Sequence, residues 1–222
     1  MYICSFSNIT EIVKDKLSDK KALLDRKFNR SDNFINLTLA GVQQCVKDRE
    51  LPKDSSIYIS SENGNINTTM KVLDSIFIQK KPPMPFNFLN TVNSIKLFYV
   101  AKNFNIEGKA IFTDSFESAL PQAFVDVAQG KTVLLGVVTE AISDLELHKK
   151  RFGDKEIVES SRWLLLSPKT DDFKAMASIE EFKLQTSTKA EHSQEELFTF
   201  LESEDEMFEF RGESLSFRVL KV

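Results

Sequence analysis

The stretch that decides the fold runs from residue 132 to residue 138 and reads TVLLGVV. It predicts a strand, and it lacks the alternation of polar and apolar positions that marks a strand with one face in water. A continuous apolar strand is typical of a sheet that is covered on both faces. We therefore expect it in the interior of a mixed sheet with helices on both faces, beside the strands near Ile57 and Ile111.

Other predicted strands and helices lie on both sides of this segment. Further strands are predicted at 2–6, 57–59, 110–113, 163–166 and 176–185. The predicted helices are one that Ser31 caps and that ends before Pro52, a helical stripe over 70–77, one over 88–103, and one over 117–129 that Gly130 ends. Strand and helix alternate in the first half, whereas the later strands follow one another. That order predicts an α/β fold with a mixed, mainly parallel sheet that has antiparallel pairing at one side.

The C-terminal residues predict a smaller unit. Residues 193–196 read SQEE, a capping box that opens a short helix. Apolar residues then alternate over 208–219, which predicts a β-hairpin that turns near Gly212. We expect residues 1–190 to form one α/β domain, and residues 191–222 to be a helix and hairpin appended to that domain.

Composition excludes several classes of function. Lys and Arg number 29 against 33 for Asp and Glu, so no basic field favours nucleic acid. The seven glycines never show the spacing of a phosphate-binding loop. The longest apolar run, about 133–138, is far shorter than the roughly 20 residues of a membrane span. The first residues, MYICSFSNIT, lack the features of a signal peptide, so we expect a cytoplasmic protein.

Cysteine and histidine are scarce. The two cysteines are Cys4, in the first predicted strand, and Cys45, on the apolar stripe of its helix, and neither has the surroundings of an activated thiolate. The two histidines, His148 and His192, lie among charged residues, and we expect both to be exposed. The sequence therefore predicts neither a metal site nor a bound cofactor.

A strand-to-helix junction at residues 113–118, TDSFES, is the main candidate for chemistry. Side-chain oxygens at this point face the positive end of a helix dipole, which favours a nucleophile such as Ser115 or Ser118. The same residues also suit plain helix capping, in which Asp114, Ser115 and Glu117 complement the dipole. No histidine lies near in the sequence, so we favour the capping interpretation.

Four stretches, taken in order, resemble the β-ketoacyl synthases. They are RKFNRSDNFINLTLAGVQQCVKDRELPKDSSIYISSENGN, PFNFLNTVNSIKLFYVAKNFNIEGKAIFTDSFESAL, GKTVLLGVVTEA and VESSRWLLLSP. The resemblance covers roughly residues 28 to 187 and rests on the order and spacing of helices, strands and turns. It implies one half of a thiolase-like fold. The nearest variant is the divergent synthase-like N-terminal domain that is associated with aryl-polyene-type gene clusters.

The departures from that family bear on function. Active synthases carry a cysteine in the turn before the buried helix; counted from Gly108, that place falls on Glu117, or on Phe116 or Ser118 if the register slips. The family also has a second half, which supplies two catalytic histidines. Chain-length-factor subunits of the superfamily lack the cysteine too, and they work by pairing with an active synthase.

The resemblance therefore implies a non-condensing, synthase-like accessory protein. Its implied partner is a ketoacyl synthase subunit or an acyl carrier protein in fatty-acid or polyketide-type biosynthesis, with homo-oligomers also possible. The alternative is a Ser-dependent acyl hydrolase or transferase that uses Ser115 or Ser118. A further possibility is a domain with an unrelated use, because fold does not dictate function.

The helix over 117–129 raises a question of assembly. It is apolar on most of its faces, and Gln122 and Asp126 are its main polar residues after the first turn. Such a helix must be covered on more than one side. Either a second subunit supplies the second cover, which we favour, or the C-terminal helix and hairpin fold back as a lid.

Overall fold

The computed structural model describes residues 1–12, 31–47, 49–154, 158–168, 173–187 and 189–222. The strands are β1 (Tyr2–Ile12), β2 (Ser56–Ser60), β3 (Ala110–Thr113), β4 (Val133–Thr139), β5 (Val158–Ser167), β6 (Ala177–Leu184), β7 (Met207–Arg211) and β8 (Leu215–Lys221). The helices are α1 (Asn33–Val46), α2 (Ile66–Phe77), α3 (Pro85–Asn90), α4 (Ile95–Phe104), α5 (Phe116–Ala128), α6 (Leu145–Phe152) and α7 (Gln194–Glu202). None of the helices in these ranges is both long and apolar enough to span a membrane.

The eight described strands form one sheet in the order β3-β2-β4-β5-β1-β6-β8-β7. β2 pairs in parallel with β3 and with β4, and the other described pairs are antiparallel. The prediction of a mixed α/β sheet is thus confirmed. The sheet is mainly antiparallel, not mainly parallel as expected: of the described pairs only the two made by β2 are parallel, because β5 returns antiparallel beside β4, β1 enters antiparallel between β5 and β6, and the C-terminal hairpin extends the opposite end.

β4 lies in the interior of the sheet, as predicted, and its Leu134 and Leu135 are buried. β2, which carries Ile57, is its neighbour as expected. The strand with Ile111 is not, because β3 lies on the far side of β2. β5 takes that place instead, since the chain leaves β4, passes through the short helix α6 and returns antiparallel beside it.

Helices cover both faces of the sheet, and each face has its own apolar core. One core joins the sheet to α1 and α4, through residues such as Phe34, Leu37 and Leu97. The other core joins it to α5 and α7, through residues such as Leu120 and Leu197. The predicted arrangement of helices on both faces is confirmed.

Two local predictions need correction in the α1–α4 layer. Asp32, not Ser31, caps α1: its Oδ1 accepts a hydrogen bond from the Ile35 N–H at 2.8 Å. The single helix predicted over 88–103 is two helices, α3 and α4. The carbonyl of Asn90 accepts hydrogen bonds from the side chains of Lys96 and Asn65, so at this point side-chain donors replace the N–H of a continuing helix.

The C-terminal helix and hairpin form as predicted. Glu196 Oε2 accepts a hydrogen bond from the Ser193 N–H at 2.6 Å, which completes the capping box of α7. The hairpin extends the main sheet, because β8 pairs with β6. The division of the chain at residue 190 stays a prediction.

The second side of α5 is covered largely by its own chain. Phe116 packs edge-on against Phe210 of β7, with ring centroids 6.0 Å apart. Phe124 stacks at 4.8 Å on Phe182 of β6. Leu120 is buried, whereas Val125 is 51% exposed. β6, the C-terminal hairpin and α7 thus supply much of the second layer that we expected from a second subunit.

Candidate functional site

A cleft of about 720 Å³ opens where β2, β3 and β4 end. The carboxyl ends of parallel strands are the usual place for ligand sites in α/β sheets. The turn after β3 and the residues after β2 and β4 line the cleft, together with α6 and the start of α7. Five acidic residues lie in its wall: Glu62, Asp114, Glu140, Glu195 and Glu213.

The serine candidates lie at the start of α5, and the hydrogen bonds there are those of a helix cap. Ser115 is the N-cap residue, and its Oγ accepts a hydrogen bond from the Ser118 N–H at 3.2 Å. The two hydroxyl oxygens are 2.8 Å apart, and the Ser118 hydroxyl donates to Asp114 Oδ1 at 3.0 Å. Ser115 and Asp114 line the cleft. A nucleophilic role for Ser115 or Ser118 stays a prediction.

Glu117 does not cap its own helix through its side chain. Its carboxylate accepts hydrogen bonds from the turn between β7 and β8: Oε1 from the Glu213 N–H at 3.0 Å, and Oε2 from the Ser214 N–H at 2.6 Å. The Ser214 hydroxyl donates to Oε2 as well, at 2.7 Å. The residue at the expected place of a synthase nucleophile is therefore bonded to the C-terminal hairpin.

Glu140 follows β4 directly and is only 2% exposed. Burial, with smaller contributions from the charges of Asp32 and Glu159, raises the pKa of its carboxyl to about 7. Lys96 is fully buried nearby, with Nζ 3.9 Å from Asp32 Oδ2. Burial lowers the pKa of Lys96 to about 8, against the opposing effect of Asp32 and Glu140. A buried group of three carboxyls and one ammonium therefore lies behind the cleft.

The histidines differ from expectation. His148 was predicted to be exposed, but it is buried and lines the cleft, because α6 turns His148 and Phe152 inward, with their rings 5.2 Å apart. His192 is half-buried, and its Nδ1 accepts a hydrogen bond from the Arg211 N–H at 3.2 Å. In the part of the chain that the structure describes, no group of three or more His, Cys, Asp or Glu could hold a metal ion.

Both cysteines lie in the core between the sheet and α1. Burial raises the pKa of the Cys4 thiol to about 11 and that of Cys45 to about 12. Arg49 lowers both values by a smaller amount. Neither thiol has the low pKa that a cysteine nucleophile requires.

Three features of the site were missed in the sequence: Glu140, the inward orientation of His148, and the contact between Glu117 and Ser214. Glu140 was overlooked, although a carboxylate directly after a buried strand lies at the edge where α/β proteins bind ligands. His148 lies four residues before Phe152, which is the spacing of one helix face. Glu117 and Ser214 are 97 positions apart in the sequence, so no local pattern could predict their contact.

The arrangement defines a class of fold: a thiolase-like α/β layer structure with a cleft at the carboxyl ends of its parallel strands. No protein-family model matches the sequence, and no curated protein matches it. Solved structures do. The chain is similar to a chain in the complex of a ketosynthase with its chain length factor from Xenorhabdus doucetiae, with TM-score 0.70 and 14% identity. The alignment covers 99% of this chain and 98% of that one.

A second similar structure is the ishigamide ketosynthase/chain length factor, with TM-score 0.57 and 13% identity. Here the alignment covers 75% of this chain and 53% of that chain. At these identities the likeness shows the fold, and it confirms the predicted resemblance to ketosynthases at that level.

Proposed function

We propose that this protein is a non-condensing accessory subunit that pairs with a ketosynthase in polyketide- or fatty-acid-type biosynthesis, in the cytoplasm. The observation that carries the proposal is the end-to-end likeness to a chain in a ketosynthase–chain length factor complex. Because 99% and 98% of the two chains align, they have about the same length.

The chemistry of the cleft supports a role without condensation. Acyl transfer by a synthase needs a nucleophilic thiol. The sequence has two cysteines, and both are buried between α1 and the sheet with raised pKa values. Glu117 lies where the resemblance places the nucleophile, and its carboxylate is bonded to the hairpin.

The hydrolase alternative has a separate test. Labelling by a serine-directed fluorophosphonate that Ser115→Ala or Ser118→Ala abolishes would establish it and would overturn the accessory role. In the structure the two hydroxyls are hydrogen-bonded to each other and to Asp114, and the Ser115 oxygen also caps α5.

An exposed apolar face offers a surface for the partner. Eight large side chains on α2, α3, α4 and the loops between them are between 46% and 74% exposed: Phe77, Ile78, Met84, Phe86, Phe88, Leu89, Val92 and Phe98. We call these residues the apolar face. Each of them exposes about 100 Å² of surface, the value of a half-exposed aromatic side chain. Together they approach the roughly 800 Å² that each partner buries in a stable interface. We infer that they form one patch, because α2 packs against α3 and α4 begins shortly after α3 in the chain. Patches of this size mark interaction sites.

The edge of the sheet lies beside this face. β3 pairs with β2 on one side, and no other described strand borders it. α4, which carries Phe98, packs against β3 and β2. We therefore propose that a ketosynthase subunit covers the apolar face and approaches the β3 edge. An acyl carrier protein is the second partner to be tested.

The test is co-expression with the ketosynthases of the same genome, followed by light scattering of the purified complex. We expect a complex of one accessory chain with one ketosynthase, and we expect Phe88→Glu and Phe98→Glu to weaken it at least about 100-fold, because each buries a charge in an apolar interface. Leu184→Glu is the matched control: Leu184 is 72% exposed but lies outside the apolar face. Equal binding by all three variants would refute the assignment of this surface.

Two other outcomes bear on the partner. A stable pair of identical chains that Phe98→Glu dissociates would show that the face serves a second copy, and would overturn the ketosynthase pairing. Binding of a carrier protein but of no ketosynthase would likewise replace the proposed partner.

A further inference from the structure

The turn between β7 and β8 has the chemistry of an anion receptor. Two consecutive backbone N–H groups, of Glu213 and Ser214, point at the same carboxylate, and the Ser214 hydroxyl adds a third donor. Consecutive N–H groups that converge in a turn bind anions. A charged acceptor makes each of these hydrogen bonds shorter and stronger than a neutral one.

Glu117 reaches this receptor from a favourable position. It lies in the first turn of α5, where the helix dipole stabilises a negative charge. Its two oxygens divide the donors between them, one N–H to Oε1, and one N–H and one hydroxyl to Oε2. The carboxylate therefore bridges the start of α5 and a turn that follows it by almost a hundred residues.

Gly212 provides an independent observation. A Cβ built on Gly212 would collide with the carboxylate of Glu117, so the close approach requires glycine. The hairpin itself closes through the Gly212 N–H, which donates to the Leu215 carbonyl at 2.9 Å. The turn thus has its own closing bond and, beyond it, donors that are used by Glu117.

We propose that the β7–β8 turn, residues 212–214, is a carboxylate-binding site whose resident ligand is Glu117. This contact fixes the C-terminal hairpin as one wall of the cleft, which Glu213 lines together with Ser115. The inference concerns the closure of the cleft and goes beyond the proposed pairing with a ketosynthase.

The test is chemical rescue, followed by amide hydrogen exchange on the full chain. In Glu117→Ala we expect exchange of the Glu213 and Ser214 amides to accelerate at least about tenfold, because their charged acceptor is lost. Excess acetate should bind in place of the deleted carboxylate and slow this exchange again. Chloride at the same ionic strength should not, because it cannot accept all three donors in the same geometry.

Glu196→Ala is the matched control. Glu196 also accepts a backbone N–H, that of Ser193 at 2.6 Å, and it belongs to the same C-terminal unit. Its loss should accelerate exchange at Ser193 and leave residues 213 and 214 unchanged. Should Glu117→Ala fail to fold, Glu117→Gln keeps the side-chain volume and replaces one acceptor oxygen by a donor, so the same two amides should still exchange faster.

Unchanged exchange at residues 213 and 214 in the folded variant would overturn the proposal, and so would equal effects of acetate and chloride. Ketosynthase pairing is measured separately, through the apolar-face variants. We expect Glu117→Ala to leave that pairing intact, so failure of one proposal does not resemble failure of the other.

Discussion

The two edges of the sheet are built differently. β7 closes one end with charged residues, and Arg211 is paired with Glu209 at 3.1 Å and with Glu191 at 3.4 Å. β3 closes the other end with the uncharged residues AIFT and lies beside the apolar face. Charges on an edge strand hinder pairing with another chain. The difference indicates that the β7 edge is protected against association, whereas the β3 edge is suited to it.

The two ends meet between β4 and β5, where parallel pairing changes to antiparallel. Trp163 of β5 lies directly opposite Gly136 of β4 and is fully buried. Gly41 of α1 also borders its ring, and a Cβ at either glycine would collide with the indole. The Trp163 Nε1–H donates a hydrogen bond to Ser161 Oγ at 2.9 Å, so the buried indole N–H has an acceptor.

Loss of this ring should have the largest effect on stability. We expect Trp163→Ala to lower the free energy of unfolding by about 3–5 kcal/mol, because it removes a fully buried aromatic side chain between two close-packed glycines. Urea unfolding followed by circular dichroism measures the change. Phe98→Ala, on the exposed apolar face, is the control, and it should change stability by less than about 0.5 kcal/mol. Similar losses in the two variants would mean that the apolar face is part of the core.

The next effect concerns the buried carboxyl at the parallel end. The pKa of Glu140 is raised from 4.5 to about 7 in the folded chain, so the folded state holds this proton more tightly than the unfolded state does. Stability from Glu140 is then present below pH 4.5 and is lost as the pH rises through 7. The groups that face it are Asp32, Glu159 and Lys96, with hydrogen bonds from Asn33 and Asn67.

We expect Glu140→Gln to remove that dependence. Glutamine resembles the protonated carboxyl, so the variant should match the wild type near pH 4 and exceed it above pH 7 by up to about 3 kcal/mol. Urea unfolding at a series of pH values between about 4 and 8 measures the difference, because this range contains the pKa of Glu140 in both the unfolded and the folded state. A wild-type stability that rises from pH 5 to pH 7, in parallel with the variant, would contradict the burial of an uncompensated charge.

Local patterns predicted the elements that depend on near neighbours. Three predicted features depend only on residues that are close in the sequence, and all three form: the apolar strand β4, the cap of α5 and the capping box of α7. The place of β1 is not local: it pairs with β5 and β6, both more than a hundred residues away. Ser5 and Ser7 interrupt the apolar pattern of this strand. In the structure their hydroxyls donate hydrogen bonds to the carbonyls of Cys45 and Gly41, because α1 packs against β1 at this point.

The site was harder to predict than the fold for the same reason. Sequence order located the turn before α5 and the residue, Glu117, at which the resemblance places the nucleophile of a synthase. It could not show that Ser214 and Glu213 bind that carboxylate, because nothing in either segment indicates the distance between them. His148 lies beside Lys149 and Lys150, and its charged neighbours concealed the inward face of α6.

The smallest effect on stability is expected at the protected edge. Arg211 and Glu209 are half-exposed, and exposed ion pairs contribute little, so Glu209→Thr combined with Arg211→Thr should leave the urea midpoint unchanged. The same change should promote self-association, because it gives β7 a row of residues that favour strand pairing and removes the charges that oppose it. Light scattering over a range of concentrations measures this, with Arg218→Thr as the control: Arg218 is partly exposed but lies on β8, opposite Glu180 of β6 on one side and Glu209 of β7 on the other. A double variant that stays as dispersed as the control would mean that the charges on β7 do not protect this edge, and the contrast with β3 would then rest on the apolar face alone.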